Sequence, residues 1–197
     1  QAIQTNLVAY YDAANTTTTG DTSDSNYSDV SLLLHMNGLN SSATFDDYGP
    51  DDVTITRVGA LIKTDQFKFG GSSAYFNGSS QLIKTATSSN FTLGTGDFTI
   101  EFWYRPDDLN TSTDGGWRSL IATNNYTAAG SFAVYQKGAG LYVYRGTGGS
   151  SNLIMSDTSV FSAGTWANIV WTRSSGTNYL FVDGTQVTTA SDSFDAS

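Results

Sequence analysis

The sequence contains almost nothing that could crosslink the chain or bind a transition metal. Its 197 residues include no cysteine and a single histidine, His35. Without cysteine no disulfide can form, and one histidine cannot supply the ligands of a zinc site. Stability must therefore come from a packed core, which a chain of this length can bury.

Charge is also scarce. Charged residues make up 14% of the chain and hydrophobic residues 39%, while Ser, Thr, Asn and Gly take much of the remainder. This composition is typical of all-β proteins at surfaces or outside cells, whose solvent faces carry hydroxyls and amides. The formal net charge of −9 would repel a phosphate backbone, so we expect no nucleic-acid partner.

Long apolar runs are missing too. No stretch approaches the roughly 20 apolar residues of a membrane-spanning helix, so we expect no membrane association. Residues 1–20 have neither the basic start nor the apolar core of a signal peptide.

The dominant pattern is alternation of apolar and polar residues with a period of two, and helical periodicity is weak throughout. Gly and Asn turns separate about ten such segments, which predicts an all-β sandwich or barrel. The predicted strands lie in 6–13, 31–38, 53–59, 72–78, 81–87, 97–106, 119–123, 131–137, 140–146, 166–173 and 178–189, the last being a hairpin that turns on Asp183–Gly184.

The segment DFTIEFWYRP, residues 97–106, shows how the two faces divide. Phe98, Ile100, Phe102 and Tyr104 share one side, which we predict to be the core side. Thr99, Glu101, Trp103 and Arg105 share the other side. We interpret that second side as a solvated sheet face with Trp103 packed under a loop, and we expect neighbouring strands to meet the charges.

Two parts of the chain differ in composition. Residues 1–30 combine one strand-like piece with a polar linker, and we interpret them as an arm that could pair with another subunit. Residues 31–197 carry the remaining strands and form the sandwich.

Four motifs in order and spacing carry a family resemblance: LLLHMNG, KFGGSSAYFNGSSQLIK, FTLGTGDFTIEFWYRP and GTWANIVWTRSSGTNYLFVDGTQV. Together they resemble the laminin G-like, concanavalin A-like jelly-roll domains that recur in bacteriophage tail fibres and in secreted bacterial proteins. The resemblance covers residues 31–189. It implies a two-sheet antiparallel sandwich with a binding or structural role. It also implies a closing strand beyond the last hairpin, so we expect the sandwich to be incomplete at its C-terminal end or to be filled by another segment.

The resemblance further implies calcium, because such domains often hold an ion near their opening strand and the loop after it. The positions that match are Asn37, Asp46, Asp47 and Asn77. Many relatives carry Asp where this chain has Asn37 and Asn77, and this exchange lowers the charge of the ligand set. Two interpretations stay open here, a calcium site and a solvated acidic loop.

Catalysis is not indicated. Hydrolases among the relatives place a carboxylate pair on one strand as Glu-x-Asp-x-x-Glu, with the two groups roughly 5–10 Å apart. Glu101 is the only glutamate of this chain and no such motif follows it. A serine triad would have to use His35, which lies between Leu34 and Met36 without a nucleophile elbow. We therefore predict that the protein is not an enzyme.

Aromatic residues offer a binding surface instead. The candidate contacts with carbohydrate or a partner are Trp117, Tyr126, Tyr142 and Tyr144. If Leu141 and Val143 are core, Tyr142 and Tyr144 form an exposed pair on a sheet face. The alternative is that these rings cap the core or line a subunit contact, where tyrosine is also enriched.

Taken together, these features favour a non-catalytic structural or recognition module of a bacteriophage virion, as a fibre, appendage or capsid decoration. We expect it at the virion surface or extracellularly, as a homo-oligomer that contacts virion subunits or cell-surface glycans. The alternative is a carbohydrate-binding module of a secreted bacterial adhesin or polysaccharide-degrading enzyme.

Overall fold

The computed structural model describes residues 25–88, 91, 93–111, 114–123 and 127–192. The predicted strand at 6–13 and most of the arm at 1–30 lie outside these residues. The described residues contain no α-helix, and none of their helical turns has the length and hydropathy of a membrane span. Short 3-10 turns lie at Tyr27–Asp29 and Asp114–Gly116.

Twelve strands make up the described fold, which is all-β as predicted. They are β1 (Thr56–Val58), β2 (Leu61–Lys63), β3 (Ser73–Tyr75), β4 (Leu82–Lys84), β5 (Phe98–Tyr104), β6 (Trp117–Ala122), β7 (Phe132–Lys137), β8 (Gly140–Gly146), β9 (Ser151–Asp157), β10 (Ala167–Ser174), β11 (Thr177–Val182) and β12 (Thr185–Ser191).

The strands form two four-stranded antiparallel sheets that face each other as a jelly-roll sandwich. One sheet has the order β12-β11-β10-β5 and the other the order β6-β7-β8-β9. Two small sheets, β1-β4 and β2-β3, are formed by the strands that precede the sandwich in the chain. The edge strands β9 and β12 approach each other, and Arg145 of β8 pairs at 3.0 Å with Asp192, the residue after β12.

The main core fills the space between the two larger sheets. Its buried side chains come from β5, β10 and β11 on one side, from β6, β7, β8 and β9 on the other, and from Phe161 in the loop between β9 and β10. They are Ile100, Phe102, Ile121, Phe132, Val134, Leu141, Val143, Met155, Phe161, Ala167, Ile169, Trp171, Leu180 and Val182. The prediction for 97–106 is confirmed, since Ile100 and Phe102 are buried and Phe98 and Tyr104 pack against this core.

Trp171 joins the two layers. Its indole is fully buried and makes edge-to-face contacts with Phe98 of β5 and Phe132 of β7, with ring centroids 4.8 and 5.3 Å apart. Such pairs contribute about 0.5–1.5 kcal/mol each beyond the area they bury. The indole Nε1–H donates to Asn178 Oδ1 at 2.9 Å, so the one polar atom of the ring is satisfied in the core.

A buried cation holds the turn before β5 against the sheet. Arg173 is 2% exposed, and its guanidinium donates to the carbonyl oxygens of Gly96 at 2.8 Å and Gly94 at 2.6 Å. The same group lies over the Phe98 ring, 4.8 Å from its centroid. Backbone dipoles and a ring face thus replace the water that this charge loses on burial.

The hairpin predicted at Asp183–Gly184 is confirmed. Asp183 has φ 49° and Gly184 has φ 77°, the left-handed pair that a type I′ turn requires. Asp183 Oδ1 also accepts from Asn168 N–H at 2.9 Å, which ties the turn to β10.

The predicted strand at 31–38 is wrong as a regular strand. Only Leu34 makes a bridge, with Asp47, and the three successive side chains of Leu32, Leu33 and Leu34 are all buried. The Leu33 N–H donates to the Asp47 side chain, so a side chain takes a bond that a ladder would otherwise make. Two strands were not predicted, β2 and β9.

Candidate functional site

Four aromatic side chains meet on the outward face of the β6-β7-β8-β9 sheet. They are Trp117 of β6, Tyr135 of β7, and Tyr142 and Tyr144 of β8, and we call them the aromatic cluster. Trp117 contacts all three tyrosines edge to face, with ring centroids 5.8, 5.1 and 5.9 Å from those of Tyr135, Tyr142 and Tyr144. Tyr135 and Tyr144 also meet, at 6.0 Å.

The alternation of β8 explains why these rings face outward. Leu141 and Val143 are fully buried in the core, so Tyr142 and Tyr144 point to the opposite side of the sheet and stay half-buried. Tyr135 stands directly across from Tyr142 in the β7–β8 pairing. Trp117 remains 37% exposed although it touches three rings, so the cluster is supported on its sides and open to solvent.

A lysine covers part of the cluster. Lys137 of β7 stands opposite Trp117 in the β6–β7 pairing, and its Nζ lies 4.6 Å from the centroid of the Trp117 ring. The ammonium is attracted by the electron-rich ring face, a contact worth about 0.5–1 kcal/mol at an exposed site. The cluster therefore combines ring faces with one positive charge.

Gly140 makes room for Tyr142. A Cβ atom at Gly140 would lie 2.8 Å from Tyr142 Cε2 and 3.0 Å from its hydroxyl oxygen, because the ring leans over the glycine. Gly140 also stands opposite Lys137 in the β7–β8 pairing. A side chain at this position would displace the ring, so the glycine is needed for the close approach.

The structure brings together three of the four aromatic residues that sequence analysis proposed, Trp117, Tyr142 and Tyr144. The fourth, Tyr126, lies outside the described residues. Trp117 opens strand β6, two residues before the strand predicted at 119–123. Sequence analysis missed Tyr135 and Lys137, although the period of two in SFAVYQK puts both on one face.

The outward face of β5 is occupied by structural contacts. Glu101 Oε1 accepts from Asn168 Nδ2 of the neighbouring β10 at 2.9 Å. Trp103 packs edge to face on Phe69 at 5.3 Å under the loop before β3, and Lys68 Nζ lies 4.5 Å from its ring centroid. The predicted packing of Trp103 under a loop is thus confirmed.

Arg105, the last charged residue of that stretch, is also engaged. Its Nε donates to the Gly164 carbonyl oxygen at 3.0 Å, and its guanidinium pairs with Asp107. The expectation that neighbouring strands meet the charges is therefore correct for Glu101 and wrong for Arg105, whose partners lie in loops.

Two residues of the predicted calcium set have other partners. Asp47 is buried, and its Oδ1 accepts from the N–H groups of Leu33 and Gly49 while Oδ2 accepts from that of Val53, each at 2.8 Å. Asn77 Oδ1 caps its own turn by accepting from Ser79 N–H at 3.1 Å.

The other two residues, Asn37 and Asp46, are exposed. Among the described residues, no group of three or more His, Cys, Asp or Glu side chains could hold a metal ion. Asp47 therefore acts as an organiser of the loop backbone, and calcium at these four positions stays a prediction.

His35 lies outside the main core. Its ring stacks on that of Tyr48 with centroids 4.4 Å apart and 16° between the planes. Partial burial lowers the pKa of the His35 imidazole. The stack gives the histidine a packing partner in the segment that Asp47 organises.

A family model described as the concanavalin A-like lectin/glucanases superfamily, of laminin G type, matches residues 74–197. The carbohydrate binding module CBM66 from Bacillus subtilis aligns with 14% identity and a TM-score of 0.42, over 73% of this chain and 83% of that one. An S-layer domain-containing protein from Clostridium thermocellum aligns with 14% identity and a TM-score of 0.46, over 83% of this chain and 73% of that one. Because both TM-scores are below 0.5, neither similarity indicates which ligand this chain binds. No curated protein sequence matches the chain.

Proposed function

This chain belongs to the concanavalin A-like lectin/glucanases superfamily, and from that premise we propose that it is a non-catalytic recognition module that binds carbohydrate through the aromatic cluster. The observation that supports this most is the contact of Trp117 with Tyr135, Tyr142 and Tyr144 on an open sheet face. The C–H groups of a sugar ring pack on such aromatic faces, and the phenol hydroxyls can bond to sugar hydroxyls.

The strands that carry the aromatic cluster also provide a rigid base suited to a binding site. The rings stand on three adjacent strands whose inner faces form the core, so their positions are fixed before a ligand arrives. A preformed site loses little conformational entropy on binding, which favours affinity for a small contact area.

We further propose that the module acts at a surface, in a bacteriophage virion as a fibre, appendage or decoration and as a homo-oligomer. The support is the low charge, the hydroxyl-rich composition and the resemblance of the four sequence motifs. The alternative setting is a secreted bacterial adhesin or polysaccharide-degrading enzyme, in which the same cluster would hold the substrate polysaccharide.

A panel of immobilised glycans, probed with the native protein and two tryptophan variants, tests the proposal. Trp117→Ala removes the centre of the cluster. Trp103→Ala is the matched control, because Trp103 is also half-buried on an outward sheet face with a lysine over its ring. We expect Trp117→Ala to weaken binding at least about tenfold, or about 1.4 kcal/mol, and Trp103→Ala to retain it.

Two outcomes would contradict the proposal. One is that the native protein binds no glycan of the panel. The other is that sedimentation shows an oligomer of the native protein that Trp117→Ala alone dissociates without any change in glycan binding. That result would make the aromatic cluster a subunit contact, where tyrosine and tryptophan are also enriched.

A further inference from the structure

The ammonium of Lys137 lies over an aromatic ring and not beside a carboxylate of this chain. Lys137 is half-buried, and the contact that the structure gives its ammonium is the Trp117 ring at 4.6 Å. The arginines that form ion pairs in the described part of the chain, Arg105, Arg118 and Arg145, each pair with an aspartate of this chain. Lys137 takes part in none of those pairs.

This charge lies within the proposed binding surface. Trp117 and Gly140 are its cross-strand neighbours on either side, and Tyr142 leans over Gly140. A sugar ring that packs on the aromatic cluster would therefore carry its substituents into the neighbourhood of the ammonium. A neutral hydroxyl there accepts one hydrogen bond from the ammonium, whereas a carboxylate accepts the same bond and is also attracted by the opposite charge.

We propose that Lys137 makes the aromatic cluster selective for acidic glycans, in which the sugar carries a carboxylate. The proposal rests on the carbohydrate-binding function proposed above. The chain as a whole carries a net charge of −9 and would repel a polyanion, so the attraction has to be local. At ordinary salt, ions screen charges that are more than about 8–10 Å apart, so aspartates beyond that distance repel the glycan only weakly. A carboxylate in direct contact with the Lys137 ammonium is screened much less.

The competing explanation is that the aliphatic stem of Lys137 only covers the indole, as long basic side chains often do. Methionine at this position would keep an unbranched apolar stem and remove the charge. Arginine would keep the charge and a cation–π contact. The two substitutions therefore separate a role of the charge from a role of the packing.

The experiment uses matched pairs of glycans. Polygalacturonate, hyaluronan and polysialic acid are each immobilised beside their carboxyl-reduced forms, which keep the backbone and lose the charge. They are probed with the native protein, Lys137→Met, Lys137→Arg and Lys68→Met. The last is the control, because Lys68 lies over Trp103 on the other sheet in the same way.

We expect the native protein to bind at least one acidic glycan at least about tenfold more tightly than its reduced form. We expect Lys137→Met to abolish that preference, and both Lys137→Arg and Lys68→Met to keep it. The preference should also shrink as salt is raised, because a partly exposed ion pair is screened.

The outcomes distinguish this proposal from the function it rests on. Equal binding to acidic and reduced forms, sensitive to Trp117→Ala, would overturn the role of Lys137 and leave carbohydrate binding standing. If Lys137→Met loses affinity for the acidic and the reduced glycans equally, the side chain acts through packing. That result would also overturn the proposed role of its charge. Binding to neither set would overturn both proposals.

Discussion

The indole of Trp117 meets the ring of Tyr142 edge to face with centroids 5.1 Å apart, although their strands are not neighbours. Strand β7 lies between β6 and β8, and its residue at this level is Lys137. The rings can meet across β7 because the next residue in the row, Gly140, has no side chain. The shape of the aromatic cluster therefore depends on a glycine as much as on its rings.

Gly140→Ala should weaken glycan binding severalfold while the protein still folds. The added Cβ would come within 2.8 Å of the Tyr142 ring and 3.2 Å of the Asp157 carbonyl oxygen, so the ring has to move. Overpacking of this kind lowers the free energy of unfolding by about 1–3 kcal/mol. Affinity for a glycan found on the panel and the free energy of unfolding in urea are the two measurements.

Gly96→Ala is the matched control for that prediction. Gly96 lies in the turn before β5 and has φ outside the left-handed region, and a Cβ there would meet nothing closer than 3.9 Å. We expect its binding to equal that of the native protein. Native affinity in Gly140→Ala would show that the position of Tyr142 does not matter for the ligand.

Asp47→Asn should destabilise the fold by about 1–3 kcal/mol, independently of calcium. The carboxylate accepts three backbone N–H groups, from Leu33, Gly49 and Val53, and an amide can accept on only one of its two terminal atoms. At least one buried donor then faces another donor. Thermal unfolding with and without added Ca²⁺ measures the effect.

The neighbouring Asp46→Asn serves as the comparison, because Asp46 is exposed and a surface substitution usually stays within about 0.5 kcal/mol. A rise in Tm of the native protein on addition of Ca²⁺, absent from Asp47→Asn, would favour the calcium interpretation.

Stability at alkaline pH should report on Tyr104. Its phenol has a pKa raised to about 12, chiefly by burial, with Arg118 lowering the pKa and Asp107 and Asp108 raising it as smaller effects. The unfolded chain releases this proton near its usual value of about 10, so the unfolded state binds fewer protons than the folded state above that pH. The stability contribution is complete below about pH 10 and decreases by roughly 2–3 kcal/mol as the pH rises to about 12.

The comparison is with Tyr104→Phe, which lacks the titrating group. Tyr104 also donates to the buried Gln136 Oε1 at 2.6 Å, so the variant should be less stable at about pH 9 by about 1 kcal/mol or more. Urea unfolding at a series of pH values should show this difference shrinking above about pH 10. A difference that stays constant up to about pH 12 would show that the phenol is not shielded from solvent.

Strands with one face in the core could be predicted closely from sequence. Strand β8 runs from Gly140 to Gly146, as predicted, because buried Leu141 and Val143 alternate with half-buried tyrosines. The segment at 31–38 failed for the converse reason, since three successive leucines are buried and the alternation disappears. A period-two pattern identifies strands that separate core from solvent, whereas a continuous apolar run indicates burial without showing that the backbone forms a ladder.

The site could be predicted only in part. Alternation along one strand showed which residues share a face, so Tyr142 and Tyr144 could be paired from sequence. The contribution of Tyr135 and Lys137 required the order β6-β7-β8, which is a matter of tertiary pairing. The role of Asp47 in holding the backbone of its loop could not be predicted, because an acidic loop looks the same in sequence whether its carboxylate binds an ion or its own backbone.

The pairing of β7 with β8 places Tyr135 across from Tyr142 and, at the next position, Gln136 across from Leu141. A slip of one residue would turn both tyrosines of β8 inward and expose Leu141 and Val143 to water. Misfolded molecules would thus lose ligand affinity together with their interior. Retention on an immobilised glycan would then serve as a purification step that selects correctly assembled protein from a mixed preparation.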